Sequence, residues 1–331
     1  MNSSQVSTFP LPDNTSKQPE CFSVFDGHVD LVYMMMTQQT NIDFLNLSGC
    51  QITLDRLIKG HVRIIVSAFY CQDKFNGPAT SVAHFNSILL YSKRFLRGLC
   101  HIKTACDLKK TFYDSKKTGA VFLLENADAL IDMDICTFID KGFKVVGLTH
   151  AGRNRIADGN NIAYPKGLTD AGKKLVKNLE QHHIIIDVAH LAEPGFWELI
   201  SIVEGPIISS HTGFKTCCDV PRNLSDEQIK VIIERKGMIG ISVNPEMLSI
   251  HNTATIQNLF LQVDRAVQKF ATTDFFGIGS DFGGFDIENQ GLNHPGLFGN
   301  LVKIFTNHGY SKKAIADIMG ENWNRFYSFH L

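Results

Sequence analysis

Eight short apolar runs, each followed by a segment with helical spacing, constrain this chain more than any other feature of its sequence. The runs are residues 23–32, 62–71, 120–126, 143–150, 183–190, 206–211, 238–244 and 275–282. They are continuous rather than alternating, the pattern of strands covered on both faces in a parallel sheet. The segments between them carry helix signals. Ser225-Asp226-Glu227-Gln228 is a capping box that opens a helix to about Lys236, where Gly237 stops it. Thr169 caps a helix reaching about His182. Phe85, Ile88, Leu89 and Phe95 form an apolar stripe within 84–99, and 255–270 and 311–326 repeat the pattern. Eight strand-helix alternations with no interior linker predict an α/β fold of the (β/α)8 TIM-like barrel type, with a doubly wound open sheet as the alternative. The weakest signals lie in 34–60.

At 331 residues the chain is long enough for one barrel of about 250 residues plus insertions. A flexible N-terminal arm is expected over residues 1–20, rich in Ser, Asn, Pro and Thr, and a single barrel domain over 21–331. The formal net charge of -1 leaves no basic footprint for nucleic acid or an anionic membrane. No apolar run is long enough to span a bilayer, and the first twenty residues lack the basic start and apolar core of a signal peptide. A cytoplasmic protein without membrane association is therefore expected. The eight cysteines (Cys21, Cys50, Cys71, Cys100, Cys106, Cys136, Cys217, Cys218) follow no zinc-finger spacing and are expected as thiols, not as a disulfide framework.

Barrel enzymes place their chemistry at the carboxyl ends of the strands. Six of the eight runs end on such residues: His28 with Asp30, then Glu125, His150, His190, His211 and Asp281. Residues i and i+2 of an extended strand share a face, so His28 and Asp30 are expected to face one ion together. His28, His190, His211, Asp30 and Glu125 mix borderline nitrogen with hard oxygen, which suits zinc or a similar divalent ion. Five ligands exceed the three usual for one catalytic zinc, so two ions sharing Glu125 is the economical reading, with Asp281 left as a proton acceptor. Singly, most of these residues have ordinary explanations. His190 and His211 read also as hydrogen-bonded histidines of the core or a turn, His150 as a loop cap, and Asp281 as part of a glycine-rich loop. Glu125 differs, because a carboxylate after Phe122-Leu123-Leu124 is costly to bury without a partner or an ion.

Other chemistries lack their motifs: there is no dinucleotide fingerprint, no Walker lysine loop and no Gly-X-Ser-X-Gly elbow. Cys217 and Cys218 beside Lys215 share no facing that would make a thiol nucleophile. What remains is an ordered set of short motifs. They are Asp26-Gly27-His28-Val29-Asp30-Leu31, Leu148-Thr149-His150, Ala157-Asp158-Gly159, Gly167-Leu168-Thr169, Asp187-Val188-Ala189-His190, Ser210-His211, Pro221-Arg222-Asn223-Leu224, Gly279-Ser280-Asp281-Phe282 and Gly320-Glu321-Asn322-Trp323. Together they resemble the membrane dipeptidase (renal dipeptidase) family of binuclear zinc metallopeptidases, in the wider amidohydrolase-like group of barrels. The resemblance implies two Zn2+ ions per chain, one on His28 and Asp30, the other on His190 and His211, with Glu125 bridging. It also implies that His150 binds substrate and stabilises the tetrahedral intermediate, that Arg222 grips the substrate carboxylate, and that Asp281 shuttles the proton. The ordinary explanation of Arg222 is a surface ion pair, which its neighbouring motif disfavours.

The expected activity is hydrolysis of a dipeptide, or a similar N-acylated amino acid, with a free carboxylate, including a D-residue at the C-terminal position. The alternatives are a barrel amidohydrolase acting on another amide, lactone or ester, and a catalytically silent binding protein. A homodimer is the assembly the resemblance suggests. Three positions depart from the family pattern: Val29 in His28-Val29-Asp30, Asn126 after Glu125, and Gly283 after Phe282. They are expected to reshape the pocket wall or the residues behind it. A secreted, lipid-anchored form is not expected, since neither a leader nor an apolar C-terminal tail is seen.

Overall fold

The computed structural model describes residues 21–38, 41–251 and 253–331. The expected arm, 1–20, lies outside the described residues. Nine strands are numbered in chain order: β1 (Val24–Val29), β2 (Val62–Tyr70), β3 (Cys100–His101), β4 (Gly119–Glu125), β5 (Phe143–Gly147), β6 (Ile185–Asp187), β7 (Ile207–Thr212), β8 (Met238–Ile241) and β9 (Phe276–Ile278). Eight of them fall in the eight apolar runs. Neighbours in the order β2-β1-β9-β8-β7-β6-β5-β4 are parallel, and β4 returns to pair with β2 from Ile64↔Gly119 to Tyr70↔Glu125. That last pairing closes the barrel and disposes of the open sheet. β3, which the sequence did not signal, pairs with Gly119 and Ala120 at the start of β4.

Alternate residues of each strand feed two apolar layers. Ile65 and Phe69 of β2 face outward and pack with helix residues such as Phe85, Ile88 and Leu179. Ile64, Val66, Val121, Leu123, Val145 and Ile185 fill the barrel itself. The helices start where their caps place them: Ser225 caps Asp226–Glu234 with Gln228 closing the box, Thr169 caps Asp170–Gln181, and Thr255 caps Ile256–Phe270. The stripe expected within 84–99 lies in Thr80–Phe95. The weakly signalled stretch holds helices Leu31–Thr37 and Leu54–Lys59, with a short turn at Phe44–Asn46 between them.

The helix expected over 311–326 is instead broken. Lys312–Ala316 runs into a π turn at Asp317–Glu321, and a new helix spans Asn322–His330. At the turn Gly320 lies on the start of β1, where a Cβ would come within 2.6 Å of the Ser23 carbonyl. The last helix then runs beneath the barrel and sends aromatic side chains up into it. Tyr327 stacks on Phe25 at 5.2 Å, and Trp323 donates from Nε1 to the Ile278 carbonyl at 2.9 Å. Gly27 makes room for this plug, because a Cβ there would meet Trp323 at 2.5 Å. None of the eight cysteines is in a disulfide, and among the described residues no helix is long and apolar enough to cross a membrane.

Candidate active site

Simple strand alternation does not aim the first two histidines. Phe25 of β1 and Ile208 of β7 point into the barrel, so regular strands would turn His28 and His211 outward. Both strands break register just before those residues. Three steps along β1, from Asp26 to Val29, oppose two along β2, and three along β7, from Ser209 to Thr212, oppose two along β8. Each bulge adds one residue and re-aims the histidine into the barrel. The expected pairing of His28 and Asp30 on one strand face needs correcting accordingly. Asp30 lies past the strand, at the N-cap of Leu31–Thr37, and the strand-to-helix turn brings its Oδ2 to 3.4 Å from His28 Nε2. Asn126, His190 and Asp281 leave their strands with φ of 68°, 65° and 66°, a conformation non-glycine residues seldom adopt and one that functional sites often store.

These turns converge on one point. Glu125 divides its two oxygens: Oε2 lies 3.8 Å from His28 Nε2, while Oε1 lies 3.2 Å from His190 Nε2 and 3.7 Å from His211 Nε2. His190 Nε2 and His211 Nε2 are 3.1 Å apart, and Asp281 Oδ1 stands 3.9 Å from the latter. The opposite ring nitrogens all face oxygen. The Ser210 hydroxyl lies 3.0 Å from His28 Nδ1 and 2.8 Å from His211 Nδ1, and Asn160 Oδ1 lies 3.1 Å from His190 Nδ1. When those nitrogens donate, the three Nε2 atoms keep bare lone pairs directed at the shared point, the arrangement typical of metal-ligating histidines.

The electrostatics tell the same story. Burial, only partly offset by His28 and reinforced by Asp30, pushes Glu125 up to about 7. Burial and Asp30 hold Asp281 well above the carboxylate range. Burial opposes charge on His28, yet Glu125, Asp30 and Asp281 outweigh it and push the imidazole up to about 10. Burial and neighbouring positive groups hold His190 and His211 well below the usual histidine value, hence neutral. Two neutral imidazoles with lone pairs 3.1 Å apart repel unless a cation lies between them, and His28 Nε2 is buried with no hydrogen-bond partner. Tetrahedral donors at about 2.0–2.1 Å from zinc sit about 3.3–3.4 Å from one another, within the spread of separations here. The donor set fits divalent metal.

The site opens into a cleft of about 570 Å³, the size of a small-molecule pocket. His150 and Arg222 line it, along with Asp30, Glu125, His190 and Asp281, so the structure brings together all eight residues singled out in the sequence. Arg222 is anchored by its Nη2 to the His211 carbonyl at 2.7 Å, while its Nε is buried without a partner. His150 Nδ1 lies 3.2 Å from Asp73 Oδ2 and 3.1 Å from the Tyr70 hydroxyl. Asn244 donates to Asp281 Oδ2 at 3.0 Å. Tyr70, Asp73, Asn160, Ser210 and Asn244 were not singled out in the sequence. Strand position was the available signal for two of them, because Tyr70 and Asn244 stand at the ends of the two runs that seemed empty.

None of the three departures lines the cleft, so the expected change to its wall is not found, whereas Asn126 does lie among the residues behind it. Val29 is buried in the outer apolar layer, Gly283 donates its N–H to Gln51 Oε1 at 2.8 Å, and Asn126 is buried behind His150. The residue that does matter sterically is Gly284, where a Cβ would fall 2.6 Å from carboxylate oxygens of both Asp30 and Asp281.

The model of the membrane dipeptidase family (peptidase family M19) matches residues 17–328. The chain belongs to the membrane dipeptidase family. Its members are metallopeptidases. An uncharacterized Acinetobacter calcoaceticus protein is 32% identical over 143 residues, which is 40% of this chain and 45% of that protein. An uncharacterized dipeptidase of Schizosaccharomyces pombe is 27% identical across 91% of this chain and 79% of its own length. Among solved structures, a Rhodobacter sphaeroides metallopeptidase liganded with a phosphinate mimic of L-Ala-D-Ala superposes with a TM-score of 0.82, at 21% identity over 94% of this chain and all of that one.

Proposed function

We propose that this dipeptidase works with two zinc ions and cleaves dipeptides that carry a free C-terminal carboxylate, D-residues at that position included. The observation that carries the reading is the division of Glu125, one oxygen toward His28 and Asp30 and the other toward His190 and His211. A carboxylate so placed serves two ions at once, and two ions favour the charged forms of Glu125 and Asp281, which burial, with Asp30 beside them, otherwise disfavours. His28 and Asp30 would hold one ion and His190 and His211 the other. When bound, such a pair supplies Lewis-acid polarisation of the scissile carbonyl and an activated water.

The chain's own residues do the rest. Arg222, anchored on one nitrogen and unpartnered on Nε, presents a planar donor edge to the substrate carboxylate and so selects a free C-terminus. His150, which also lines the cleft, meets the oxygen on which charge develops. Asp281, ionised when bound cations offset the burial that raises it, would accept the proton from the attacking water and return it to the leaving amine. The phosphinate bound by the Rhodobacter relative mimics a dipeptide ending in D-Ala, which supports including D-residues.

The test is hydrolysis of L,L- and L,D-dipeptides by purified protein, with elemental analysis of its metal. Activity lost to a chelator, restored by zinc and accompanied by two zinc atoms per chain is expected. Full activity in metal-free protein would sink the reading, and cleavage of amidated but not free-carboxylate substrates would move it to the other amidohydrolases.

A further inference from the structure

His150 lies in the loop beyond β5, three residues past the strand end, where no sheet pairing fixes its ring. Something else must aim it. Asp73 Oδ2 faces His150 Nδ1 at 3.2 Å and also accepts the backbone N–H of Gly152 at 3.0 Å, so one carboxylate holds both the ring and the chain two residues on. A carboxylate only accepts, which makes Nδ1 the protonated nitrogen and leaves Nε2 for the cleft. Asp73 is itself held from behind. Asn126 Nδ2 donates to the Cys71 carbonyl at 2.6 Å and to Asn76 Oδ1 at 2.8 Å, and lies 3.3 Å from Asp73 Oδ1. Its Oδ1 accepts from Asn154 Nδ2 at 2.8 Å. The one side chain thus ties the segment after β2 to the loop after β5, beneath His150. With φ at 68°, a glycine would sit at this position without strain. An asparagine is tolerated in that conformation, and here its amide is fully buried and bonded on both ends.

We propose that Asp73 is a positioning residue that orients His150 toward the substrate, and that Asn126 is the clamp that holds Asp73 in place. The inference rests on the role given to His150 under the proposed function. Neither residue touches the candidate metal ligands through its side chain, so their loss should leave metal binding intact.

Three variants test it: Asp73→Ala, Asp73→Asn, and Asn126→Gly, the last relieving backbone strain while deleting the clamp. With an unblocked alanyl dipeptide, Asp73→Ala is expected to lower kcat about ten- to hundredfold with KM within about threefold, two metal ions retained and Tm nearly unchanged. Asp73→Asn, which restores an acceptor, should recover part of that loss, and Asn126→Gly should lose less than Asp73→Ala. Affinity for a phosphinate dipeptide mimic should fall in step with kcat. Unchanged kcat in Asp73→Ala, or a loss explained by released metal, would overturn the proposal. Histidine 15N NMR reads the positioning without any substrate: His150 should be protonated at Nδ1 in the wild type and shift toward Nε2 in Asp73→Ala. Identical His150 signals would refute the positioning whatever the enzyme hydrolyses, whereas the predicted shift in a protein inactive on dipeptides would count against the dipeptidase reading alone.

Discussion

The two ends of one barrel are built on opposite rules. At the amino end the interior is filled by Phe25, Trp323 and Tyr327, stacked and hydrogen-bonded, with Gly27 cut away to admit them. At the carboxyl end, one or two residues further along the same strands, stand Asp26, His28, Glu125, Asp187, His211 and Asp281, all buried. The second region holds positive-φ residues at Asn126, His190 and Asp281 and orphaned atoms such as Asp26 Oδ2 and His28 Nε2, while at the first the turns into β2, β6 and β8 carry His61, His183 and Lys236 in the same conformation and the Tyr327 hydroxyl is left without a partner. The first region gains free energy by burying apolar area; the second spends it to hold charge where chemistry needs it. One fold thus separates stability from activity along its axis.

That separation can be broken by mutation. The largest effect is expected from Asp281→Asn: turnover should fall about 10²–10⁴-fold, while Tm holds or rises because a buried carboxylate beside Asp30 is neutralised. Turnover measured beside calorimetry decides it, and retained turnover would remove Asp281 from proton transfer. Trp323→Ala should do the reverse. Emptying the plug is expected to cost about 3–5 kcal/mol of stability in denaturant titration, with kcat of the folded protein within a few-fold of wild type. A kcat collapse in a fully folded Trp323→Ala protein would mean that the two ends are coupled.

Arg222→Met sharpens the comparison within the cleft. It should lower kcat/KM about ten- to hundredfold for dipeptides with a free carboxylate and little for C-terminally amidated ones; equal losses on both would undo the carboxylate clamp. The smallest effect belongs to the amino end. His101 stacks on Phe122 at 3.8 Å, and burial holds its imidazole below the usual value. A lowered folded value means that the folded state resists protonation, so its contribution to stability is present above the unfolded value near 6.5 and fades as pH falls through it. His101→Phe should flatten the stability profile below about pH 6.5 without changing turnover, and an unaltered profile would rule out that contribution.

The barrel was legible in the sequence because its evidence is local. Continuous apolar runs mark doubly covered strands, and Thr169, Ser225 and Thr255 start helices through bonds to residues two or three positions on. Candidate site residues were legible for a related reason: the closed barrel gathers strand ends on one face, so a polar residue ending an apolar run is a residue of that face. The family pattern in the sequence and the family model agree on the same span of chain.

What the sequence could not specify is everything set between strands. The bulges that turn His28 and His211 inward exist only relative to the partners β2 and β8, and no residue in β1 or β7 announces them. The π turn that carries Trp323 beneath the barrel follows from Gly320 meeting the start of β1, almost three hundred residues earlier in the chain. The oxygens that fix each imidazole come from distant segments: Ser210 serves His28, Asn160 serves His190, and Asp73 serves His150. A chain's own periodicity dictates which residues become strands and helices, and thereby which side chains reach the mouth of the barrel. Their aim, tautomer and charge depend on groups brought within hydrogen-bonding distance only when the barrel closes, because those interactions decay within a few ångströms and carry no trace in sequence spacing.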